Sequence, residues 1–172
     1  MTKYIAFLRA INVGGTKIIK MDDLRKMFES FGLSNVQTYI QTGNIIFETK
    51  ASPTLETKIE KHLEKTLGYY VEVFLRSMDE IENIISQNHF APQPDDTLHV
   101  VFLREKPAKA QVDTLKKYNS PADEFAVSSR EVYNLRHDRD TSVFSNNFIE
   151  KIFGTATTRN MTTLRKIFEK YQ

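Results

Sequence analysis

The order of strand and helix patterns along the first 76 residues constrains the fold more than any other feature of the sequence. Strand patterns lie at 3–10, 36–41, 44–49 and 69–76, and helix patterns between them end at Gly32 and Gly68. Glycine suits a helix end because it readily adopts the left-handed backbone conformation that stops a helix. The resulting strand–helix–strand–strand–helix–strand order predicts a ferredoxin-like split βαβ unit.

The second half of the chain repeats this order. Residues 77–96 hold a connecting helix and a proline-containing linker, after which a strand, a helix, a hairpin and another helix follow. A final helix begins after Asn160, a residue type that caps helices well. We therefore predict an α+β fold with two ferredoxin-like halves, residues 1–76 and 97–172, and an extra C-terminal helix.

The first strand is apolar on both faces, with Ile5 and Phe7 on one face and Ala6 and Leu8 on the other. A ferredoxin-like sheet carries helices on one face, so we expect the second face to be buried against the other half or against a partner chain. A self-associating scaffold, such as a homodimer, is therefore one hypothesis for the function.

The composition, 40% hydrophobic and 27% charged, is typical of a soluble globular protein. The absence of cysteine excludes disulfides, thiolate catalysis and cysteine-based zinc sites. No apolar run approaches the ~20 residues that span a bilayer, and no signal-peptide cleavage pattern follows the first strand. We expect a cytoplasmic protein that does not bind membranes.

Cations concentrate at the two ends of the chain, although the net charge is only +2. Residues 1–26 hold six cations against Asp22 and Asp23, and residues 155–172 hold four against Glu169. If the ends meet in space they form a basic patch that would attract an anionic partner. Otherwise these side chains are ordinary solvated surface charges.

A loop with two consecutive glycines follows the first strand and reads Asn12-Val13-Gly14-Gly15-Thr16-Lys17. It is not the P-loop pattern, because the glycine spacing differs and the lysine follows the threonine. Backbone N–H groups at Gly14 and Gly15, with the charges of Lys17 and Lys20, could still bind a phosphate or a carboxylate. The alternative is a flexible turn with solvated lysines.

The first hairpin has a polar tip that includes Gln41 and Asn44. Their amide groups could bind a base edge or another polar ligand, although turn chemistry alone also explains Asn44. We expect this tip at the opposite edge of the sheet from the Gly14-Gly15 loop.

Two arginines stand in unusual positions. Arg9 closes an apolar strand, and Arg159 directly precedes Asn160, where a helix dipole disfavours a cation. Both positions indicate an arginine that pairs with a ligand or with a carboxylate of another segment.

The densest polar run is Arg136-His137-Asp138-Arg139-Asp140. His137 with Asp138 or Asp140 could form a metal pair or an acid–base pair, but no second histidine stands at ligand spacing. A charged connection between a strand and a helix is the better explanation of the run. We predict no catalytic residue, metal or cofactor from it.

Several segments resemble a bacterial family named domain of unknown function 1697, and together they span nearly the whole chain: Tyr4 to Gly15, Met21 to Leu24, Thr38 to Asn44, and Ala156 to Asn160 with Thr163. The resemblance implies an α+β fold of ferredoxin-like halves and no particular activity. Ala10 departs from the family pattern, which usually has glycine there.

The leading hypothesis is a protein that binds an anionic ligand, either nucleic acid or a nucleotide-like small molecule. The predicted ligand-binding residues are Arg9, Asn12, Gly14, Gly15, Lys17, Lys20, Gln41, Asn44, Arg159 and Asn160. A second hypothesis is an enzyme that acts on a small phosphorylated or carboxylated substrate with His137 and a neighbouring aspartate. The sequence does not decide whether the protein is an enzyme.

Overall fold

The computed structural model describes residues 1–12, 15 and 18–172. The chain forms two compact units, one made of Met1–Glu82 with Lys170–Gln172 and the other of Asn83–Glu169. In the described ranges, no helix combines the length and the apolar character that a membrane span requires.

The first unit contains a four-stranded antiparallel sheet with the strand order β2-β3-β1-β4. Its elements, in chain order, are β1 (Thr2–Leu8), α1 (Met21–Ser30), β2 (Ser34–Tyr39), β3 (Asn44–Thr49), α2 (Leu55–Leu67) and β4 (Val73–Ser77). Helix α3 (Met78–Ser86) follows. This is the predicted split βαβ arrangement.

The second unit repeats the arrangement with the strand order β6-β7-β5-β8. Its elements are β5 (Thr97–Leu103), α4 (Lys109–Lys116), β6 (Asp123–Ser128), β7 (Glu131–Arg136), α5 (Asn146–Phe153) and β8 (Ala156–Asn160). The last helix is α6 (Met161–Tyr171). The α+β fold of two ferredoxin-like halves with an extra C-terminal helix is therefore confirmed.

The core of the first unit forms on one face of its sheet. Leu24 and Phe28 of α1 and Ile59 and Leu63 of α2 cluster there with the apolar side chains of the strands. These helix residues recur every three or four positions, so each helix presents one apolar stripe to the sheet.

The other face of this sheet is also buried. Ile5, Phe7 and Phe74 are each 0% exposed, and Phe7 lies opposite Phe74 in the register of β1 and β4. The expected burial of the second face is confirmed for these side chains.

Glutamate side chains accept hydrogen bonds from the outward backbone N–H groups of β4. The backbone N–H groups of Val73, Leu75 and Ser77 donate to Glu60, Glu56 and Glu80 over 2.9, 2.8 and 2.7 Å. The bond to Glu80 belongs to a capping box, in which the N–H of Glu80 donates to Ser77 Oγ over 3.2 Å. Acceptors aligned along an edge strand prevent another strand from pairing with it.

Candidate functional site

The end of β1 lies beside the turn between β2 and β3. Strands β1 and β3 are antiparallel neighbours in which Phe7 faces Asn44, and the N–H of Leu8 donates to the carbonyl of Gly43 over 2.9 Å. The expectation that the hairpin tip and the loop after β1 lie at opposite edges is therefore wrong. In an antiparallel pair, the end of one strand adjoins the start of the other. We call residues 9–12, 15, 18–20 and 40–44 the loop–turn junction.

Asn12 ties the two parts of the loop–turn junction together. Its Nδ2 donates to the carbonyl oxygen of Gln41 over 2.9 Å, and its Oδ1 accepts from the N–H of Ile19 over 2.7 Å. The side chain of Asn12 thus holds the loop after β1, the start of α1 and the hairpin tip in one arrangement.

Backbone strain concentrates at the same place. Five non-glycine residues of the described chain have a positive φ, and Ala10, Asn12 and Ile40 lie in the junction with φ of 55°, 54° and 50°. A positive φ is a genuine outlier for a β-branched residue such as Ile40. Strained residues of this kind tend to cluster at functional sites, where the surrounding structure holds them.

Gly43 is the residue that lets the turn approach β1 closely. It has a φ of 78°, and a Cβ built on it would lie 2.8 Å from the Cδ1 of Ile11 and 3.1 Å from the Cβ of Leu8. Both the backbone conformation and the space therefore require glycine here.

Asn44 forms the interior of the turn. Its side chain is 0% exposed, and its Nδ2 donates to the carbonyl of Tyr39 over 3.0 Å and to Thr42 Oγ1 over 2.9 Å. These bonds give Asn44 a structural role in shaping the tip, whereas Gln41 is exposed beside it.

The loop–turn junction carries positive charge. Arg9 is half-buried there and Lys20 is exposed, and the sequence between them contains no acidic residue. Gly15 is exposed with a φ of 74°, whereas Gly14 and Lys17 lie outside the described residues.

Two carboxylates of α1, Asp22 and Glu29, pair with Arg25 of the same helix. Asp22 pairs with Arg25 over 2.9 Å, and the Arg25 guanidinium holds the pKa of Asp22 below its usual value. Arg25 also pairs with Glu29 over 2.6 Å. Lys20 is the N-cap of α1, and its side chain cannot accept a hydrogen bond from the first helical turn. The start of α1 thus adds backbone donors to the positive charge of the loop.

Two exposed apolar side chains border this charged region. Ile18 is 71% exposed and Ile40 is 51% exposed. Each is the chain neighbour of a residue that is hydrogen-bonded to Asn12. Neither exposure could be predicted from the sequence, because the exposure of a loop residue depends on the packing around it.

The two remaining predicted site residues, Arg159 and Asn160, lie in the second unit. Asn160 Oδ1 accepts from the N–H of Thr162 over 2.8 Å, which confirms Asn160 as the cap of α6. Arg159 lies in β8, directly before the cap of α6 as the sequence predicted. It is 9% exposed, and its Nη1 donates to Thr157 Oγ1 and to the carbonyl of Thr158, both over 2.9 Å. Burial lowers the pKa of Arg159 to about 10.

The first unit contains an equivalent arginine that the sequence analysis missed. Arg76 faces Ile5 in the register of β4 and β1, as Arg159 faces Val100 in that of β8 and β5. Arg76 is 1% exposed, and its Nη1 donates to the carbonyl of Leu75 over 2.9 Å. The available signal was the position of each arginine two residues before a methionine that starts a helix.

The side chains of the polar run 136–140 have local partners in the second unit. His137 contacts Asp96 through Nδ1 over 2.9 Å and Glu124 through Nε2 over 2.6 Å, so carboxylates contact both ring nitrogens. Asp138 accepts from the N–H of Asp140 and from Thr141 Oγ1, which shapes a turn. No group of His, Asp or Glu side chains in the described ranges has an arrangement that could hold a metal ion.

The fold resembles that of a solved structure. The conserved bacterial protein SP0830 from Streptococcus pneumoniae superposes with a TM-score of 0.76 over 99% of each chain, at 22% sequence identity. At this identity the likeness shows the fold alone. A comparison with curated proteins finds no significant match.

The sequence also matches a family. Residues 1–133 of the 172 fit the family described as "Protein of unknown function (DUF1697)". This range includes the first unit with its loop–turn junction, apart from the last three residues of the chain. Since the match covers well over half of the chain, the protein belongs to the DUF1697 family.

Proposed function

We propose that the protein binds an anionic ligand, either nucleic acid or a nucleotide-like small molecule, at the loop–turn junction. The observation that carries this proposal is the contact of Asn12 with both Gln41 and Ile19, which brings a cationic loop and a polar hairpin tip together. Arg9, Lys17 and Lys20 would supply charge, Gly14 and Gly15 backbone donors, and Gln41 a side-chain amide.

Strain supports a binding role for this region. Ala10, Asn12 and Ile40 hold left-handed backbone conformations within the same small junction. Glycine would adopt these conformations at a lower free-energy cost, and a turn without a function would be expected to have glycine there. Preorganisation of the junction for a ligand would explain why the chain tolerates the conformational strain of these residues.

The neighbouring side chains favour a nucleotide-like ligand over a simple anion. Ile18 and Ile40 expose apolar surface next to Lys20 and the polar tip. A ligand that joins an anionic group to a flat, less polar group would contact both kinds of surface, as a nucleotide does. In this proposal Asn12 is a positioning residue, because it acts through Gln41 and Ile19.

The residues behind the other two hypotheses have structural roles. Both ring nitrogens of His137 contact carboxylates, and Asp138 shapes a turn, which accounts for these residues without catalysis. The apolar face that suggested a scaffold is buried. Arg159 and Asn160 remain predicted ligand contacts, although each has a structural partner.

The test is fluorescence anisotropy with labelled single-stranded and duplex oligonucleotides at low and physiological salt, with unlabelled ATP as a competitor. The informative variant is Lys17→Ala/Lys20→Ala, and the matched control is Lys61→Ala/Lys65→Ala, which removes two exposed lysines from α2. We expect Lys17→Ala/Lys20→Ala to weaken binding roughly tenfold. The slope of log affinity against log salt concentration should also become shallower by the amount that corresponds to about two phosphate contacts. The control should change neither quantity much.

Competition by ATP at low concentration would assign the site to a nucleotide-like small molecule, and its absence would assign it to nucleic acid. If no oligonucleotide binds at low salt and isothermal titration calorimetry finds no binding of ATP, or if the control variant loses as much affinity, the proposal is wrong. Variants of Arg159 are unsuitable for this test, because the side chain is buried and its loss would destabilise the fold.

A further inference from the structure

The second unit contains a cleft of about 570 Å³ beside the edge strand β6. Ala126, Val127 and Ser128 of β6 form one side, Tyr133 of β7 contributes to the lining, and Phe90 belongs to the segment that closes the other side. This volume lies within the range of ordinary ligand sites. All these residues belong to the unit Asn83–Glu169, so the cleft is separate from the loop–turn junction.

The outer edge of β6 changes along its length. Near its start, Ser120 accepts from the N–H of Asp123 through Oγ over 3.2 Å and donates its own N–H to the carbonyl of Asp123 over 2.9 Å. The N–H of Phe125 donates to Asn119 Oδ1 over 2.7 Å. Backbone groups of a strand alternate in direction, so Val127 is the next residue whose N–H and C=O point outward. Val127 lies at the cleft.

The outer edges of β4 and β8 differ from this part of β6. Three glutamates accept the outward N–H groups of β4. On β8, Glu150 accepts the N–H of Ala156 over 3.2 Å. The part of β6 at 126–128 instead borders an open cleft, which is the arrangement that strand addition requires.

The lining of the cleft indicates what it would bind. None of the lining residues, which all belong to the described chain, is Asp, Glu, Lys or Arg. A charged side chain placed here would lose hydration without gaining a partner of opposite charge. Apolar side chains of Phe90, Ala126 and Tyr133 line the cleft and suit an apolar side chain.

The wall that carries Phe90 is held in place locally. Asn88 Nδ2 donates to the carbonyl of Phe90 over 3.1 Å, and Asn88 Oδ1 accepts from the N–H of Phe90 over 3.2 Å. Two bonds from one side chain fix this turn, so the wall needs little ordering when a ligand enters.

We propose that this cleft binds an uncharged, extended peptide segment that pairs with Val127 as an added strand and places an apolar side chain against Phe90 and Tyr133. The main-chain bonds to Val127 would supply affinity. The lining has His89 as its one ionisable imidazole and contains no Asp, Glu, Lys or Arg, so it would select uncharged side chains. The partner is therefore a protein with an exposed, extended, apolar segment.

The test is selection of a displayed library of random heptapeptides on the full chain. Three variants separate the contributions: Val127→Pro removes the outward N–H, Val127→Ala keeps it, and Ala126→Trp fills the cleft. An edge strand tolerates proline where the N–H points outward, and circular dichroism with thermal unfolding checks that each variant folds. We expect enriched peptides with alternating apolar, uncharged residues that bind Val127→Pro and Ala126→Trp at least roughly tenfold more weakly, and Val127→Ala nearly as well as the original chain.

Other outcomes would overturn the proposal. Peptides that bind Val127→Pro as tightly as the original chain would show an apolar pocket that does not use strand pairing. Enrichment of charged peptides, or no enrichment above the immobilisation support, would show that the cleft is not a peptide site. If Val127→Pro fails to fold, N-methylation of alternate backbone amides in the selected peptides tests strand pairing in its place, because it removes peptide donors and leaves the protein unchanged.

Discussion

Asn12 donates through its side-chain amide to the backbone carbonyl of Gln41 over 2.9 Å, across 29 positions of sequence. The same side chain accepts from Ile19, so one residue joins three segments of the first unit. The two hydrogen bonds of Asn12 therefore hold the loop–turn junction together, and the loss of this side chain should destabilise the first unit.

Asn12→Ala should lower the free energy of unfolding by about 2–3 kcal/mol, because it removes two hydrogen bonds and leaves alanine with a positive φ. Asn35→Ala is the matched control, since Asn35 has a φ of 51° and one hydrogen bond, to Glu48. The control should lose about 1 kcal/mol. Urea unfolding followed by tyrosine fluorescence measures both. Equal losses would contradict the bridging role of Asn12.

Gly43→Ala should destabilise the chain by about 2–4 kcal/mol, because the added methyl group would clash with Ile11 and the backbone would be strained. Gly68→Ala isolates the backbone contribution, since Gly68 has a φ of 81° and nothing within 4 Å of its would-be Cβ. That control should lose about 1 kcal/mol. Thermal and urea unfolding compare the two, and a similar loss in both variants would rule out the steric contact.

Ala10→Gly should stabilise the protein by about 0.5–1 kcal/mol. Ala10 is exposed with a φ of 55°, so glycine removes a conformational penalty that outweighs its greater entropy in the unfolded chain. The same unfolding measurements apply. A clear loss of stability would mean that Ala10 does not hold a left-handed conformation in solution.

Glu60→Ala should cost about 2–3 kcal/mol, because the 4% exposed carboxylate of Glu60 accepts from Tyr70 Oη and from the N–H of Val73. Glu64→Ala removes an exposed glutamate from the same helix and should cost less than about 0.5 kcal/mol. Hydrogen exchange of the Val73 amide adds a local readout. Unchanged protection of that amide in Glu60→Ala would contradict the role of Glu60 at the edge of β4.

Two of the three histidines in the second unit, His137 and His99, should titrate on opposite sides of pH 6.5. Hydrogen bonds to Glu124 and then to Asp96 raise the pKa of His137, whereas burial lowers the pKa of His99. The contribution of His137 to the free energy of unfolding is therefore fully present below pH 6.5, and it disappears as the pH rises through the raised pKa. For His99 the sign is reversed, and stability falls as pH drops from 6.5 through its lowered pKa.

Proton NMR titration of the two imidazole rings measures both pKa values. Glu124→Gln should bring the pKa of His137 toward 6.5 and leave that of His99 unchanged. A His137 pKa at or below 6.5 in the unsubstituted protein would show that the contacts with Glu124 and Asp96 are not maintained in solution.

The sequence by itself determined the order of the elements and several of their ends. The Ser77–Glu80 capping box and the Asn160 cap were predicted and are present. Such features could be predicted because each depends on hydrogen bonds and apolar periodicity within a few residues of chain.

Only the tertiary structure decided which segments meet. The pairing of β1 with β3 places Gly43 against Leu8. The packing around β8 buries Arg159. The packing of the junction holds Ala10 and Ile40 in left-handed conformations. Each of these depends on contacts between segments far apart in sequence, and no local pattern encodes such contacts because many residue pairs satisfy them equally well. The site could therefore be predicted as a set of segments, and its geometry followed only from the fold.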